Sequence, residues 1–110
     1  MFRRLDERTL AAGQIVPEEV ERLKADGVTM IVNNRPDGEE PGQPRAAEIE
    51  EAARAAGLDY RFIPIAREIG EAQVAALQQA LAEARGDVLL FCRSGARSSY
   101  LWAAARQLQR

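Results

Sequence analysis

A small α/β domain, built as a parallel sheet flanked by helices, is the fold class this sequence predicts, and three observations carry the prediction. Short apolar runs alternate along the chain with stretches whose apolar residues recur at helical spacing. The run Val88-Leu89-Leu90-Phe91 is wholly apolar, as expected of a strand covered on both faces. The chain has 110 residues, of which 46% are hydrophobic and 29% charged, which suits one globular domain spanning residues 1–110.

The elements follow in order. Pro17 suits a first helical turn, and Val20, Leu23 and Lys24 follow at helical spacing until Gly27 stops the run. Thr29 to Asn33 reads as a short buried strand, and residues 34–44, rich in turn formers, as a long loop. Residues 45–56 place Ala46, Ile49, Ala53 and Ala56 on one helical face, with Gly57 as the stop. Tyr60 to Ile65 predicts another strand. Pro64 has no N–H to give a neighbour, so it argues for a sheet edge or for the strand's last residues. Residues 71–84 carry Val74, Leu77, Leu81 and Ala84 on one stripe, Val88 to Phe91 is the strand already noted, and a helix runs from Ser98 to about Leu108. Strands alternating with helices give a parallel sheet through right-handed crossovers. Ligands bind such sheets at the carboxyl ends of strands, so the Cys92 loop and the loop of residues 34–44 are expected to face one pocket.

Composition excludes several function classes. A formal net charge of -2 gives no general attraction to nucleic acid or to an anionic membrane. No apolar run approaches the roughly 20 residues that span a bilayer. Met1-Phe2-Arg3-Arg4-Leu5 leads into charged residues rather than an apolar signal core, so a cytoplasmic protein is expected. There is one cysteine, hence no internal disulfide, and there is no histidine, which removes histidine-based hydrolytic triads and imidazole metal ligands. Neither a metal nor a cofactor is expected.

The chemistry is expected in Cys92-Arg93-Ser94-Gly95-Ala96-Arg97. Cys92 directly follows a strand and a helix begins near Ser98, so this segment turns its backbone amides toward one point. Gly95 permits positive φ, Ser94 and Ser98 offer hydroxyls, and the helix directs its positive end into the loop. Amides, helix terminus and the Arg97 guanidinium all favour a thiolate, so Cys92 is expected to be an activated nucleophile without a histidine base. A lone cysteine ending an apolar strand is otherwise a small buried hydrophobe.

Other polar residues carry two readings each. Asp37, Glu39 and Glu40 offer a general acid from the facing loop or simply solvate it. Arg35 reads as a second substrate-binding cation or as half of a surface ion pair. Glu68 reads as a replacement acid or as a solvated residue before a helix, and Tyr100 and Trp102 as packing residues of the last helix.

C-R-S-G-A-R resembles the loop of the rhodanese sulfurtransferases. The protein tyrosine and dual-specificity phosphatases place five residues between cysteine and arginine, whereas four separate Cys92 from Arg97. Gly13-Gln14, the run Asn33-Asn34-Arg35-Pro36-Asp37-Gly38-Glu39-Glu40-Pro41-Gly42-Gln43-Pro44, the Cys92 loop and Leu101-Trp102 together resemble the bacterial phosphatase-like domain of beta-lactamase-hydrolase-like proteins. That resemblance implies a dual-specificity-phosphatase-like fold, Cys92 as nucleophile, Arg97 as the oxyanion-binding arginine, and the amides of Arg93, Ser94, Gly95, Ala96 and Arg97 as the cradle. It also places Asp37 within its specific motif, which makes Asp37 the preferred acid among Asp37, Glu39 and Glu40, and it implies a functional link to a persulfide dioxygenase. A dual-specificity phosphatase supplies an aspartic acid after the strand that ends here at Ile65, but Ala66-Arg67-Glu68 follows instead.

The leading expectation is therefore sulfur transfer. The Cys92 thiolate takes sulfane sulfur from a small anionic donor such as thiosulfate or a persulfide, holds it as a persulfide, and passes it to a thiol acceptor. The alternatives are a phosphatase using the same Cys92 and Arg97, and a noncatalytic module that binds an anion or a partner.

Overall fold

The computed structural model describes residues 2–108. Among them, β1 (Phe2–Arg4), β2 (Thr9–Ala12), β3 (Val28–Asn33), β4 (Asp59–Phe62) and β5 (Asp87–Phe91) form a sheet in the order β1-β2-β5-β3-β4. The helices are α1 (Val20–Ala25), entered through a 3-10 turn at Pro17–Glu19, α2 (Ala46–Ala55), α3 (Glu71–Glu83) and α4 (Ala96–Leu108). β2, β5, β3 and β4 run parallel, and β1 pairs antiparallel with β2.

β5 is central because it can be buried on both faces. Its Leu89 lies in register between Leu10 and Ile31, and its Leu90 between Ala11 and Val32. Odd and even positions of each strand then feed opposite cores. Ile31, Leu89 and Phe91 pack with Val20 and Leu23 of α1 and Ile49 and Ala53 of α2. Met30, Val32, Val88 and Leu90 pack with Val74, Leu77 and Ala80 of α3 and Leu101 and Ala105 of α4. Full burial of each large side chain is worth about 1.5–3 kcal/mol, so these two layers fix the sheet and with it the loops at its edge. β4 occupies a sheet edge, and Pro64 lies just past its end at Phe62, so both readings of that proline hold.

The structure departs from the sequence expectation in three places. β1 and β2 precede the first expected element, so the sheet is mostly rather than wholly parallel. The last helix starts at Ala96 rather than Ser98, which puts Arg97 and Ser98 in its first turn. β4 ends at Phe62, although the N–H groups of Ile63 and Ile65 continue onto the Asn33 and Asn34 carbonyls at 2.9 and 3.0 Å.

The loops that leave the parallel strands at their carboxyl ends are stitched together by backbone. The N–H of Asn34 donates to the Phe91 carbonyl at 2.8 Å, that of Cys92 to Ala12 at 3.2 Å, and that of Gln14 to Arg93 at 3.4 Å. The Cys92 loop and the loop of residues 34–44 therefore meet at one edge.

Candidate active site

Cys92 is wholly buried at the end of β5, with the turn into α4 wrapped round its sulfur. The Gly95 N–H donates to Cys92 Sγ at 3.0 Å. Gly95 has φ +96°, a left-handed conformation that carries the chain back over the sulfur at little cost only without a side chain. Gly13 lets this turn rest against the end of β2, because a Cβ there would come within 3.1 Å of the Arg93 carbonyl.

Burial acts to raise the Cys92 pKa, but the amides of Ser98, Ser94 and Gly95 and the Ser98 hydroxyl outweigh it and hold the thiol below its ordinary value. The surroundings thus shift the balance toward the thiolate, through backbone amides in the main. Ser98 is itself wholly buried, and its hydroxyl donates to Asn34 Oδ1 at 2.7 Å while Asn34 Nδ2 donates to the Ile63 carbonyl at 2.9 Å. The Ala96 N–H, expected in the cradle, turns to Ser94 Oγ at 3.3 Å instead. The N–H groups of Arg93 and Arg97 have no protein acceptor among the described residues.

Arg97 is held from the facing loop. Its Nη1 donates to Glu39 Oε2 at 2.8 Å and to the Ile65 carbonyl at 2.7 Å, and its Nη2 donates to Glu39 Oε1 at 2.9 Å. A guanidinium has five N–H groups, so Nε–H and one Nη2–H remain as a second fork able to hold two oxygens of an anion. The pair with Glu39, and then the nearby Cys92 thiolate, keep Arg97 more firmly protonated than usual, while burial opposes them. Glu39 is drawn down to about 2, first by the Arg97 hydrogen bonds and also by Arg35, against some desolvation. It is an ionised clamp, not a proton donor.

Two of the expected site residues have other work. Arg35 is not a substrate-binding cation: it is 2% exposed, and its Nε, Nη1 and Nη2 donate to Glu39, Gln14 and Glu40 at 2.9, 3.0 and 2.8 Å. It ties its own loop to the one after β2, and Glu40 in turn holds the exposed Arg93 of the Cys92 loop at 3.2 Å. Asp37 is engaged at a helix start: its Oδ1 accepts the Ala46 N–H at 2.7 Å, capping α2 from nine positions upstream. Glu68 is exposed and makes no hydrogen bond among the described residues. Glu39, weighed only as a general acid, is the functional residue whose role sequence reasoning missed. The available signal was two adjacent carboxylates in a loop that otherwise needs only turn formers.

A cleft of about 280 Å³ touches the cradle at Ser94 and Gly95 and is otherwise lined by Phe2, Arg3, Ala11 and Ser99, so it does not contain Cys92 or Arg97. Among the described residues no group of three His, Cys, Asp or Glu side chains is placed to hold a metal, and no helix is long and apolar enough to cross a membrane.

Residues 1–109 match the family described as the phosphatase-like domain of beta-lactamase hydrolase-like proteins. The chain belongs to this family. A beta-lactamase hydrolase-like protein of Agrobacterium fabrum is 44% identical over 106 residues, covering 96% of this chain and 25% of that protein. The chain thus spans about a quarter of the length of such curated relatives. A solved structure from Neisseria meningitidis, described as a candidate phosphatase, is 32% identical with a TM-score of 0.84 over 97% of this chain and 78% of its own. PTPMT1, 17% identical, matches with a TM-score of 0.73 over 96% of this chain and 70% of its own, which shows a shared fold. This phosphatase-like domain therefore has the fold of the cysteine-based phosphatases, and the Cys92 turn stands at the end of its central strand.

Proposed function

We propose that this phosphatase-like domain is a cysteine-dependent phosphatase, in which the Cys92 thiolate attacks phosphorus and a phosphocysteine is then hydrolysed. The observation that carries the reading is the pairing of an amide-held sulfur, with Gly95 N–H at 3.0 Å, and an Arg97 whose position is set by Glu39. The sulfur is the nucleophile, and the amides of Arg93 and Arg97 with the open fork of Arg97 hold the oxyanion. The family and the candidate phosphatase from Neisseria support this choice over the sulfur transfer expected from the loop alone.

One observation favours a second reading, persulfide formation from a small sulfur donor. Four residues rather than five separate Cys92 from Arg97, and three amides already converge on the sulfur. The cradle is thus smaller than one shaped for a tetrahedral phosphoryl group. The decisive experiment treats wild type and Cys92→Ser with an aryl phosphate, and separately with thiosulfate plus a thiol. Cys92-dependent release of phosphate, with a trapped phosphoryl adduct, is the expected result. A mass gain of one sulfur atom, removed by thiol, without phosphate release overturns the phosphatase reading in favour of the second. Anion binding unchanged in Cys92→Ser, with no turnover of either substrate, leaves a binding module.

A further inference from the structure

We propose that the site acts only on substrates whose leaving group departs as a stable anion, namely aryl and acyl phosphates, because among the described residues no side chain is placed to protonate it. The inference rests on the phosphatase reading and narrows it to a substrate class.

The argument is a census of possible proton donors on the loops that follow β3 and β4. On the loop after β3, Asp37 is engaged by the Ala46 N–H at 2.7 Å. Glu39 accepts from Arg97 and Arg35 and is ionised far below neutrality, with a pKa drawn down to about 2. Glu40 accepts from Arg35 and Arg93 and is likewise lowered, first by the Arg35 hydrogen bond. On the loop after β4, Glu68 is exposed, and nothing among the described residues fixes it over the sulfur. Tyr60, which sits under the loop, has its hydroxyl buried between Asn33 Nδ2 and the Ala46 carbonyl. The chain has no histidine. A useful general acid has a pKa raised toward the working pH, yet the site carboxyls whose titration is displaced, Glu39 and Glu40, both move down.

The chemistry balances without a donor. In the first step the Cys92 S–P bond forms and the P–O bond to the leaving group breaks, and the leaving oxygen carries the bonding pair away as an aryloxide or carboxylate. In the second, water attacks phosphorus, the S–P bond breaks to return the thiolate, and the phosphate product retains the protons of that water. An alkyl ester has no such route, because an alkoxide is a poor leaving group until it is protonated.

The test measures kcat/KM, which reports the first step, for acetyl, nitrophenyl, phenyl and glycerol phosphates with wild type and with Glu68→Gln. The expected result is turnover of the first three, falling as the leaving group becomes more basic, and a further loss of roughly 10²–10⁴-fold toward glycerol phosphate, the size of the contribution a positioned acid makes. Glu68→Gln leaves that dependence unchanged. Rates within about tenfold across the series, or a dependence that becomes steep only in Glu68→Gln, overturn the inference while leaving the phosphatase reading standing. No Cys92-dependent turnover of even acetyl and nitrophenyl phosphate overturns the phosphatase reading itself, and this inference with it.

Discussion

Glu39→Gln replaces the carboxylate that clamps Arg97 with a neutral group of the same reach. In the native protein this carboxylate accepts N–H groups from Arg97 at 2.8 and 2.9 Å and from Arg35 at 2.9 Å, which take its pKa from an ordinary 4.5 to about 2. A tenfold change in proton affinity is about 1.4 kcal/mol, so the clamp is worth at most about 3.5 kcal/mol. The side chain is 27% exposed. Solvent screening of such a pair brings the expected loss to roughly 1–2 kcal/mol at neutral pH. The sign follows from the direction: a carboxyl more acidic in the folded than in the unfolded chain stabilises the fold above 4.5 and ceases to as pH falls toward about 2. Urea unfolding of both proteins is therefore expected to show the full difference near pH 7 and less than half of it near pH 3. Because Arg97 loses its fork, kcat/KM is expected to fall at least about tenfold in the variant, the loss expected when an oriented anion-binding group is misplaced. An equal stability gap at both pH values would make the effect one of shape, and no gap at neutral pH would mean that Arg97 is held by something else. Either result refutes the charge argument.

Three further outcomes are expected. The rate of Cys92 alkylation has its midpoint below the reference of about 8.5, and wild type gains stability over Cys92→Ser as pH rises from that midpoint toward the unfolded value; a midpoint at or above the reference contradicts the amide-held thiolate. Gly95→Ala costs roughly 1–2 kcal/mol for left-handed backbone and raises the alkylation midpoint by moving the amide that lies 3.0 Å from the sulfur. Asp37→Ala costs about 1 kcal/mol of stability as a lost helix cap but leaves Cys92-dependent turnover intact. A collapse of turnover in a folded Asp37→Ala protein would show that capping is not its whole role.

The parts of this architecture that were legible in the sequence are those decided locally. Val88 to Phe91 read most clearly as a buried strand, Pro17 and Gly27 bracketed a helix, and Pro64 pointed to a sheet edge or a strand end, both of which β4 supplies. β2 was not legible: Thr9-Leu10-Ala11-Ala12 carries two alanines, and it is a strand because β5 on one side and β1 on the other supply its partners. The Cys92 turn announced itself through its glycine, serines and arginine. Which of Asp37, Glu39 and Glu40 faces it did not, because the difference lies in how a loop with three prolines folds back on itself. Arg35 decides that outcome by binding Glu39 and Glu40 together, leaving Asp37 to α2.

The seclusion of Cys92 bears on how the site survives oxidation. It is the chain's one cysteine, so a sulfenic acid formed there has no second thiol in these residues with which to close a disulfide. Repair falls to thiols arriving from solution, and they meet the same barrier of amides and guanidinium that an oxidant meets. A sulfur 0% exposed is therefore shielded from oxidant and thiol alike. Small reagents that reach it set the rate of damage, and small thiols set the rate of recovery.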